Sequence, residues 1–154
     1  LEIARRKAAE RGGQVDFVHA DAAAMPFPDG YFDRVGISFA FRNLTFKNPM
    51  TPKYLAETLR ILRPGGRFVV VESSQPRQAV IRGLYHFYMR AFVAGVGGLL
   101  SGEPAAYRYL GESAARFQGP DVVARLLKET GFAEVRSEGL LFGAVRLFIA
   151  TKAG

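Results

Sequence analysis

The side chains best suited to chemistry in this 154-residue chain follow short apolar runs of strand length. Asp21 follows one such run, the segment Ser38–Asn43 ends a second, and Glu72 closes a third. In open α/β sheets, ligands bind outside the carboxyl ends of the strands, so these polar residues should face one crevice. The sequence therefore predicts a single ligand site along one edge of a sheet.

The hydrophobic pattern predicts the strands and helices that would position these residues. Strands are predicted at 15–19, 32–39, 68–72, 133–141 and 145–152, and helices at 1–11, 53–62 and 120–130. Arg63–Gly66 is expected to end the second helix and turn the chain. An order of strand, loop, strand, helix and strand indicates an α/β fold. Residues 75–118 interrupt it as an aromatic-rich helical insertion within one domain, 1–154.

Composition narrows the classes of function. Apolar residues make up 49% and charged residues 23%, which is typical of a globular domain. The absence of cysteine removes disulfides, thiolate zinc sites and cysteine nucleophiles, and we expect no metal. A net charge of +7 suits nucleic acid, an anionic membrane or an anionic small molecule equally. Because the basic residues are spread along the chain without interleaved aromatics, we expect no nucleic-acid partner.

Four segments resemble, in order, the motifs of a known family. Residues 21–33 (DAAAMPFPDGYFD) and 60–66 (RILRPGG), the latter leading to Glu72–Ser74, are similar to segments of class I S-adenosylmethionine-dependent methyltransferases. Residues 38–44 (SFAFRNL) and 107–110 (YRYL) resemble segments of the UbiE/MenG/COQ5 family. The resemblance implies a Rossmann-like fold, S-adenosylmethionine as cofactor, and methylation of a ring carbon in a polyprenylated quinol during menaquinone or ubiquinone biosynthesis.

The resemblance also implies which residues bind the cofactor. The Asp21 carboxylate would accept a hydrogen bond from the adenine amino group, and the Ala22 amide would meet the ring. Met25 would form part of an apolar slot for the purine. Ser38 and Phe39 would lie at the methionine end. Without the resemblance, Asp21 is better explained as a loop residue that bonds its own backbone.

Arg42 and Asn43 are the predicted catalytic and substrate-binding residues. Methylating a quinol carbon requires an electron-rich ring in line with the sulfonium methyl, so positioning and oxyanion stabilisation should dominate. Arg42 would supply a fixed positive charge and Asn43 an orienting amide. A surface arginine beside an asparagine-capped turn is the alternative. Tyr107 and Tyr109 would line the pocket for the quinone head group.

Three further residues allow both a functional and a structural interpretation. Glu72 could orient nearby loops or simply end its strand. His86 has the chemistry of a general base, but packing on the substrate-side helix is the preferred interpretation. Arg108, between the two predicted pocket tyrosines, also fits ordinary interface packing.

The segment 78–100 is unusually apolar. Its uninterrupted stretch, 91–100, is about half of the roughly 20 residues that a spanning helix needs, so we expect it not to cross a membrane. A lid for a polyprenyl chain fits this segment, and so does a homodimer interface. Arg77, Arg82 and Arg90 could lie near lipid phosphates. The N-terminal segment has no signal-peptide pattern, so we expect a cytoplasmic protein. From the apolar segment we expect a homodimer and peripheral contact with the inner membrane face.

Two cofactor motifs of the family are missing from this sequence. They are the glycine-rich loop after the first strand and the acidic residue at the end of the second. Gly95–Gly98 does not replace the loop because it follows a helix. We therefore expect a sheet without its first two strands, either in a fragment inactive alone or in a chain whose gap another chain fills. The alternative functions are another small-molecule or sterol-type methyltransferase, or a non-catalytic binding module that lost the cofactor loop.

Overall fold

The computed structural model describes residues 1–76, 78–97, 102, 105, 107 and 118–154. The helices are α1 (Glu2–Glu10), α2 (Phe41–Thr45), α3 (Thr51–Ile61), α4 (Ala79–Tyr88) and α5 (Pro120–Thr130). The strands are β1 (Phe32–Ser38), β2 (Leu62–Ser73), β3 (Phe132–Leu140) and β4 (Val145–Lys152). A π-helix, Met89–Gly97, continues α4, and a 3₁₀ turn, Leu141–Gly143, precedes β4.

The four strands form one sheet in the order β1-β2-β4-β3. β1 and β2 are parallel, whereas β4 runs antiparallel to both of its neighbours. β3 therefore runs in the same direction as β1 and β2, and the carboxyl ends of all three lie along one edge. This mixed sheet confirms the predicted α/β class and its Rossmann-like architecture.

The core lies against β2, which has a strand on each side. Phe68 and Val70 of this strand are buried together with Leu55 of α3 and Leu127 of α5. The Phe68 ring stacks on that of Phe132 with centroids 6.1 Å apart. Burying each large apolar side chain contributes about 1.5–3 kcal/mol, so this cluster is what fixes the carboxyl edge of the sheet.

The predicted strand at 15–19 is wrong. Residues 14–20 have no regular secondary structure and, apart from half-buried Phe17, are exposed. A strand needs a neighbouring backbone to pair with, and no strand in the described part of the chain lies beside this segment. Arg5, which donates to the Phe17 carbonyl at 3.5 Å, provides a side-chain contact instead.

The predicted turn at Arg63–Gly66 is also wrong in part. β2 already begins at Leu62, which pairs with Phe32 of β1, and the register shifts between Phe32 and Arg34. The irregularity follows from Gly65, whose φ of 72° is a left-handed conformation that glycine adopts at little cost. β2 starts before the predicted turn because Phe32, the first residue of β1, pairs with Leu62 directly after α3.

α4 and the π-helix form the described part of the predicted insertion, and the rest of 75–118 lies largely outside the described residues. Met89 is buried and Tyr85 is half-buried, whereas Val80, Leu84 and Phe87 are exposed. The outward surface of α4 is therefore apolar. Among the described residues, no helix combines the length and apolar character needed to cross a membrane.

Lys152 ties the end of β4 to the junction between α3 and β2. Its Nζ donates to the carbonyl oxygens of Leu59 at 2.8 Å and Leu62 at 2.6 Å. The last carbonyls of a helix lack partners within the helix and carry partial negative charge, so a cation stabilises them.

Replacing this cap should weaken the fold. We expect Lys152→Met to lower the free energy of unfolding by about 1–3 kcal/mol, because the carbonyls lose a charged donor. Lys53→Met, at an exposed position on the same helix, should change it by less than about 0.5 kcal/mol. Urea unfolding followed by circular dichroism measures both values, and an equal effect of the two variants would contradict the capping role.

Candidate active site

A buried ion pair joins the carboxyl ends of β1 and β2. Arg42, in the first turn of α2 after β1, donates from Nη1 to Oε1 of Glu72 at 2.6 Å, and its backbone N–H donates to Oε2 at 3.1 Å. The backbone N–H of Ser73 donates to the same Oε1 at 2.8 Å. The Arg42 side chain is 7% exposed and that of Glu72 is fully buried. Three donors thus fix the carboxylate.

The Arg42 guanidinium still has donor capacity. Its Nε is buried and has no hydrogen-bond partner in the described part of the chain. A buried donor without a partner costs free energy, and such groups in native proteins call for a reason, such as a missing ligand atom. Because Nε is covered in this structure, a ligand oxygen would reach it only after the side chains that cover it had moved.

The chain bends sharply between β1 and α2. Phe39 has a φ of 52°, which is uncommon for an aromatic residue, and its N–H donates to the Val71 carbonyl at 2.8 Å. Backbone strain of this kind persists where the surroundings enforce it, often at functional sites. The bend leaves Ser38 and Phe39 exposed at the carboxyl edge.

Arg42 and Asn43 point in different directions from α2. Arg42 is buried, whereas Asn43 is exposed and its side-chain amide has no hydrogen bond to the described residues. Its backbone carbonyl accepts a hydrogen bond from Asn48 Nδ2 at 3.1 Å. The structure therefore gives Arg42 an internal partner and leaves the Asn43 amide free for a ligand.

α4 meets the segment that follows β2. His86 Nε2 lies 2.7 Å from Gln75 Oε1, and the preceding residue, Tyr85, is half-buried. Burial raises the pKa of Tyr85 above 10.0, and the Ser73 hydrogen bond and the nearby Arg42 charge only partly offset this. Tyr85 is thus protonated at neutral pH.

The residues predicted to bind adenine form a separate group. Asp21 Oδ1 accepts from the Ala23 N–H at 2.9 Å, as in the local-turn interpretation, but the carboxylate is exposed. Ala22 and Met25 are half-buried. In the described residues, no hydrogen bond or ion pair links 21–25 to Ser38–Asn43. The structure therefore does not join the two predicted groups directly.

Arg60 of α3 holds the loop that carries Met25. Its guanidinium donates to the carbonyls of Met25 and Phe27 and to the carboxylates of Glu57 and Asp29, at 2.7–3.0 Å. Glu57 Oε2 in turn accepts from the Met25 N–H at 2.9 Å. Hydrogen bonds from Arg60 and from the Met25 N–H lower the pKa of Glu57 from 4.5 to about 2.

Sequence reasoning missed several members of these networks. Tyr85 and Glu57 were not predicted as site residues, Ser73 was predicted only as part of the Glu72–Ser74 strand end that faces the crevice, and the role of Glu72 was left undecided. The i, i+3 spacing of Glu57 and Arg60 was the available signal. Tyr107 is half-buried, whereas Tyr109, Arg108 and Arg77 lie outside the described residues. The described residues contain no group of three or more metal-ligating side chains.

Acid should weaken the attachment of the Met25 loop. Because the pKa of Glu57 is depressed in the folded state, its stabilising contribution is present above pH 4.5 and is lost as the pH falls towards about 2. Glu57→Gln should therefore be less stable than wild type at pH 6, with the difference shrinking across that window. Denaturant unfolding at a series of pH values measures this, and Glu10→Gln, in the exposed α1 ion pair, should keep the wild-type dependence.

The buried Arg42–Glu72 pair should contribute to the stability of the fold. Glu72→Gln should lower the free energy of unfolding by about 3 kcal/mol, since it leaves a buried guanidinium without its counter-charge. Glu134→Gln removes the charge from an ion pair whose side chains are 52% and 75% exposed and should cost less than about 0.5 kcal/mol. Comparable losses in urea unfolding of the two variants would show that the buried pair is not held as described.

Solved structures identify the class to which this fold belongs. A SAM-dependent methyltransferase from Aquifex aeolicus matches 97% of this chain and 62% of its own, with a TM-score of 0.62 and 16% identity. One from Methanosarcina mazei matches 99% of this chain and 76% of its own, with a TM-score of 0.60 and 19% identity. At these identities the likeness is one of fold, and the fold is that of SAM-dependent methyltransferases.

Sequence comparison defines the family within that class: the chain belongs to the ubiE/COQ5 methyltransferase family, whose profile matches residues 1–152. It is 43% identical to the demethylmenaquinone methyltransferase of Thermus thermophilus, over 99% of this chain and 67% of that relative. The corresponding protein of Clavibacter sepedonicus is 40% identical, with 60% of its length covered. A ubiquinone/menaquinone biosynthesis C-methyltransferase of Shewanella pealeana is 34% identical, with 58% covered.

These comparisons confirm the predicted family. The fold and the family indicate S-adenosylmethionine as the cofactor. The chain spans only 58–67% of the length of these three relatives.

Proposed function

We propose that this chain forms the substrate-side part of a C-methyltransferase that transfers the methyl group of S-adenosylmethionine to the ring of a polyprenylated quinol. The observation that carries the proposal is the buried Arg42–Glu72 pair, with its unpartnered Arg42 Nε, at the carboxyl edge of a methyltransferase sheet. The names of the relatives support a menaquinone or ubiquinone precursor as the substrate class.

The described residues fit part of a cofactor site. Asp21 presents an exposed carboxylate that uses only Oδ1 in its own turn, and Met25 beside it is half-buried. These residues and Ala22 would hold the adenine end, and Ser38 and Phe39 would hold the methionine end. The bound cofactor supplies an electrophilic methyl group on a positively charged sulfur.

The protein's own part in the reaction is to stabilise negative charge on the ring. When a ring hydroxyl loses its proton, the charge is shared between the oxygen and the ring carbon that forms the new bond to methyl. With the cofactor bound, that bond would form as the carbon–sulfur bond breaks and the sulfur leaves as a neutral thioether, and the hydrogen on the ring carbon would then pass to solvent as a proton. Arg42, preorganised by Glu72 in a water-poor site, would stabilise the oxyanion, and the free Asn43 amide would orient it.

Exposed apolar side chains support contact with the prenyl chain and with lipid. Val80, Leu84 and Phe87 of α4 are 64–76% exposed, and Phe142, beyond the end of β3 at the same edge, is 85% exposed. Arg90 is also exposed and could meet lipid phosphate. We propose a cytoplasmic enzyme that touches the inner membrane face peripherally. The homodimer and the roles of Tyr107 and Tyr109 stay predictions.

Arg42→Lys tests the proposed chemistry. The substitution keeps a positive charge but removes Nε and the planar fork, so kcat should fall about 10²-fold, as when an oxyanion donor is lost. Arg34→Lys, at an exposed position on β1, is the matched control and should keep the wild-type rate. Transfer of radiolabelled methyl from S-adenosylmethionine to demethylmenaquinol measures both.

Two outcomes would contradict the proposal. Equal rates for Arg42→Lys and Arg34→Lys, with both folded by circular dichroism, would remove Arg42 from the reaction. Absence of methyl transfer by the wild-type chain, alone and joined to the residues that precede the matched region in the Thermus thermophilus relative, would refute the methyltransferase function. In that case a non-catalytic binding role would be the better explanation.

A further inference from the structure

The 3₁₀ turn between β3 and β4 presents two large apolar side chains to solvent on a strained backbone. Leu141 and Phe142 are 71% and 85% exposed. Their φ angles are 47° and 56°, a left-handed conformation that costs free energy for residues with a Cβ atom. Strain of this kind persists where the surrounding structure enforces it, often at ligand-binding positions. The turn thus carries two costs, one in its backbone and one in its exposed side chains.

Hydrogen bonds hold this turn in place at the end of β2. The Ala144 N–H donates to the Leu141 carbonyl at 3.0 Å, and the Ala144 carbonyl accepts from the Ser74 N–H at 2.8 Å. The last ladder pair between β2 and β4, Ser73 with Val145, lies directly beside these bonds. The two apolar side chains are therefore carried by a braced hairpin and not by a loose loop.

The outer face of α4 is apolar as well. Four of its apolar side chains are 56–76% exposed, and they recur with the spacing of a single helix face. They are Val80, Leu84, Phe87 and Tyr88. Tyr85 and Met89, four residues apart on a different face, are half-buried and buried. This helical segment therefore has one apolar stripe against the protein and a second one towards solvent.

The charge of this segment complements an anionic bilayer. Residues 78–97 contain Arg82 and Arg90, both exposed, and no aspartate or glutamate. An exposed apolar helix face accompanied by basic residues is typical of helices that lie in a membrane interface. His86 Nε2, 2.7 Å from Gln75 Oε1, holds α4 beside the end of β2, where the 3₁₀ turn also lies. Both apolar surfaces thus belong to the same end of the strand.

We propose that the 3₁₀ turn and the outer face of α4 form one docking surface for an anionic lipid bilayer, in which Leu141 and Phe142 enter the hydrocarbon region and the arginines of α4 face lipid phosphates. The inference deepens the proposed function and rests on it only for its purpose, which is to hold the carboxyl edge against the membrane that contains the prenyl chain. Removing the exposed apolar area from water would offset the cost of the strained turn. Lipid binding itself does not depend on methyl transfer.

A single introduced tryptophan reports insertion directly, because the chain contains none. Phe142→Trp is compared with Tyr31→Trp, an aromatic position that is 61% exposed just before β1, at the other end of that strand. Each is mixed with vesicles of equal parts phosphatidylglycerol and phosphatidylcholine. The emission of Phe142→Trp should shift to shorter wavelength and be quenched by lipids brominated in the acyl chain, whereas that of Tyr31→Trp should do neither.

Flotation with the same vesicles tests the apolar contribution. Leu141→Ser combined with Phe142→Ser should weaken binding about tenfold or more, because two large apolar side chains no longer leave water. Ile3→Ser combined with Val15→Ser is the matched control, since these side chains are 64% and 58% exposed, and it should bind as the wild type does. If the turn variant does not fold, the Phe142→Trp emission decides.

The same assay tests the charged contribution. Arg82→Gln combined with Arg90→Gln should weaken binding about tenfold, because each arginine near an anionic surface attracts it. Arg34→Gln combined with Arg67→Gln changes the net charge equally at exposed positions near the amino ends of β1 and β2, and it should weaken binding by less than about threefold.

Four results would overturn the inference. They are no vesicle binding by the wild type, equal binding by either double variant and its control, and quenching of Phe142→Trp by a soluble prenylated quinol but not by brominated lipid, which would assign the surface to the substrate chain. The fourth is a concentration-dependent dimer that shifts the Phe142→Trp emission without vesicles, which would assign the surface to a second copy. Vesicle binding as expected without methyl transfer would refute the proposed function alone.

Discussion

Two opposite charges are buried where β1 and β2 end, and each needs the other as its partner; this constraint fixes Arg42 and the start of α2 against the end of β2. Glu72 reaches no solvent, so its carboxylate depends on Arg42 and on two backbone N–H groups for its hydrogen bonds. Burying such a pair rarely adds stability compared with an apolar core, whereas breaking it is costly. A pair of this kind suits a fixed charge in a catalytic site, because the folded protein holds the guanidinium before any ligand binds.

Two side-chain networks lie at opposite ends of the parallel strands: the Arg42–Glu72 pair at the carboxyl ends of β1 and β2, and the Arg60 network where α3 leads into β2. Arg42 and Glu72 are held by β1, β2 and α2. The Met25 loop is held instead by Glu57 and Arg60 of α3. The helix α3 links the two networks, since it packs against β2 through the core.

Hydrophobic periodicity was enough to predict most of the helices and strands. It failed where a strand depends on pairing with a segment distant in the sequence. β1, β4, α3 and α5 were predicted within a few residues because each has its own apolar pattern. The segment 15–19 has the alternation of a strand, but a strand also needs a neighbour, which its own residues do not encode. Arg42 was predicted from its motif, whereas its partner Glu72 was undecided and Tyr85 was missed. The Arg42–Glu72 contact and the packing of Tyr85 depend on how elements distant in the chain pack together, which a single sequence does not specify.

Whether the carboxyl edge of this sheet is a methyl-transfer site is tested most directly by calorimetric titration of S-adenosylmethionine. The wild-type chain, Asp21→Ala and the control Asp16→Ala are each joined to the residues that precede the matched region in the Thermus thermophilus relative. We expect the wild type and Asp16→Ala to bind one equivalent, and Asp21→Ala to bind about tenfold or more weakly, because a buried adenine amino group would lose its acceptor. No binding by any of the three proteins would contradict the assignment of a cofactor site to this chain, and equal affinities for all three would remove Asp21 from that site.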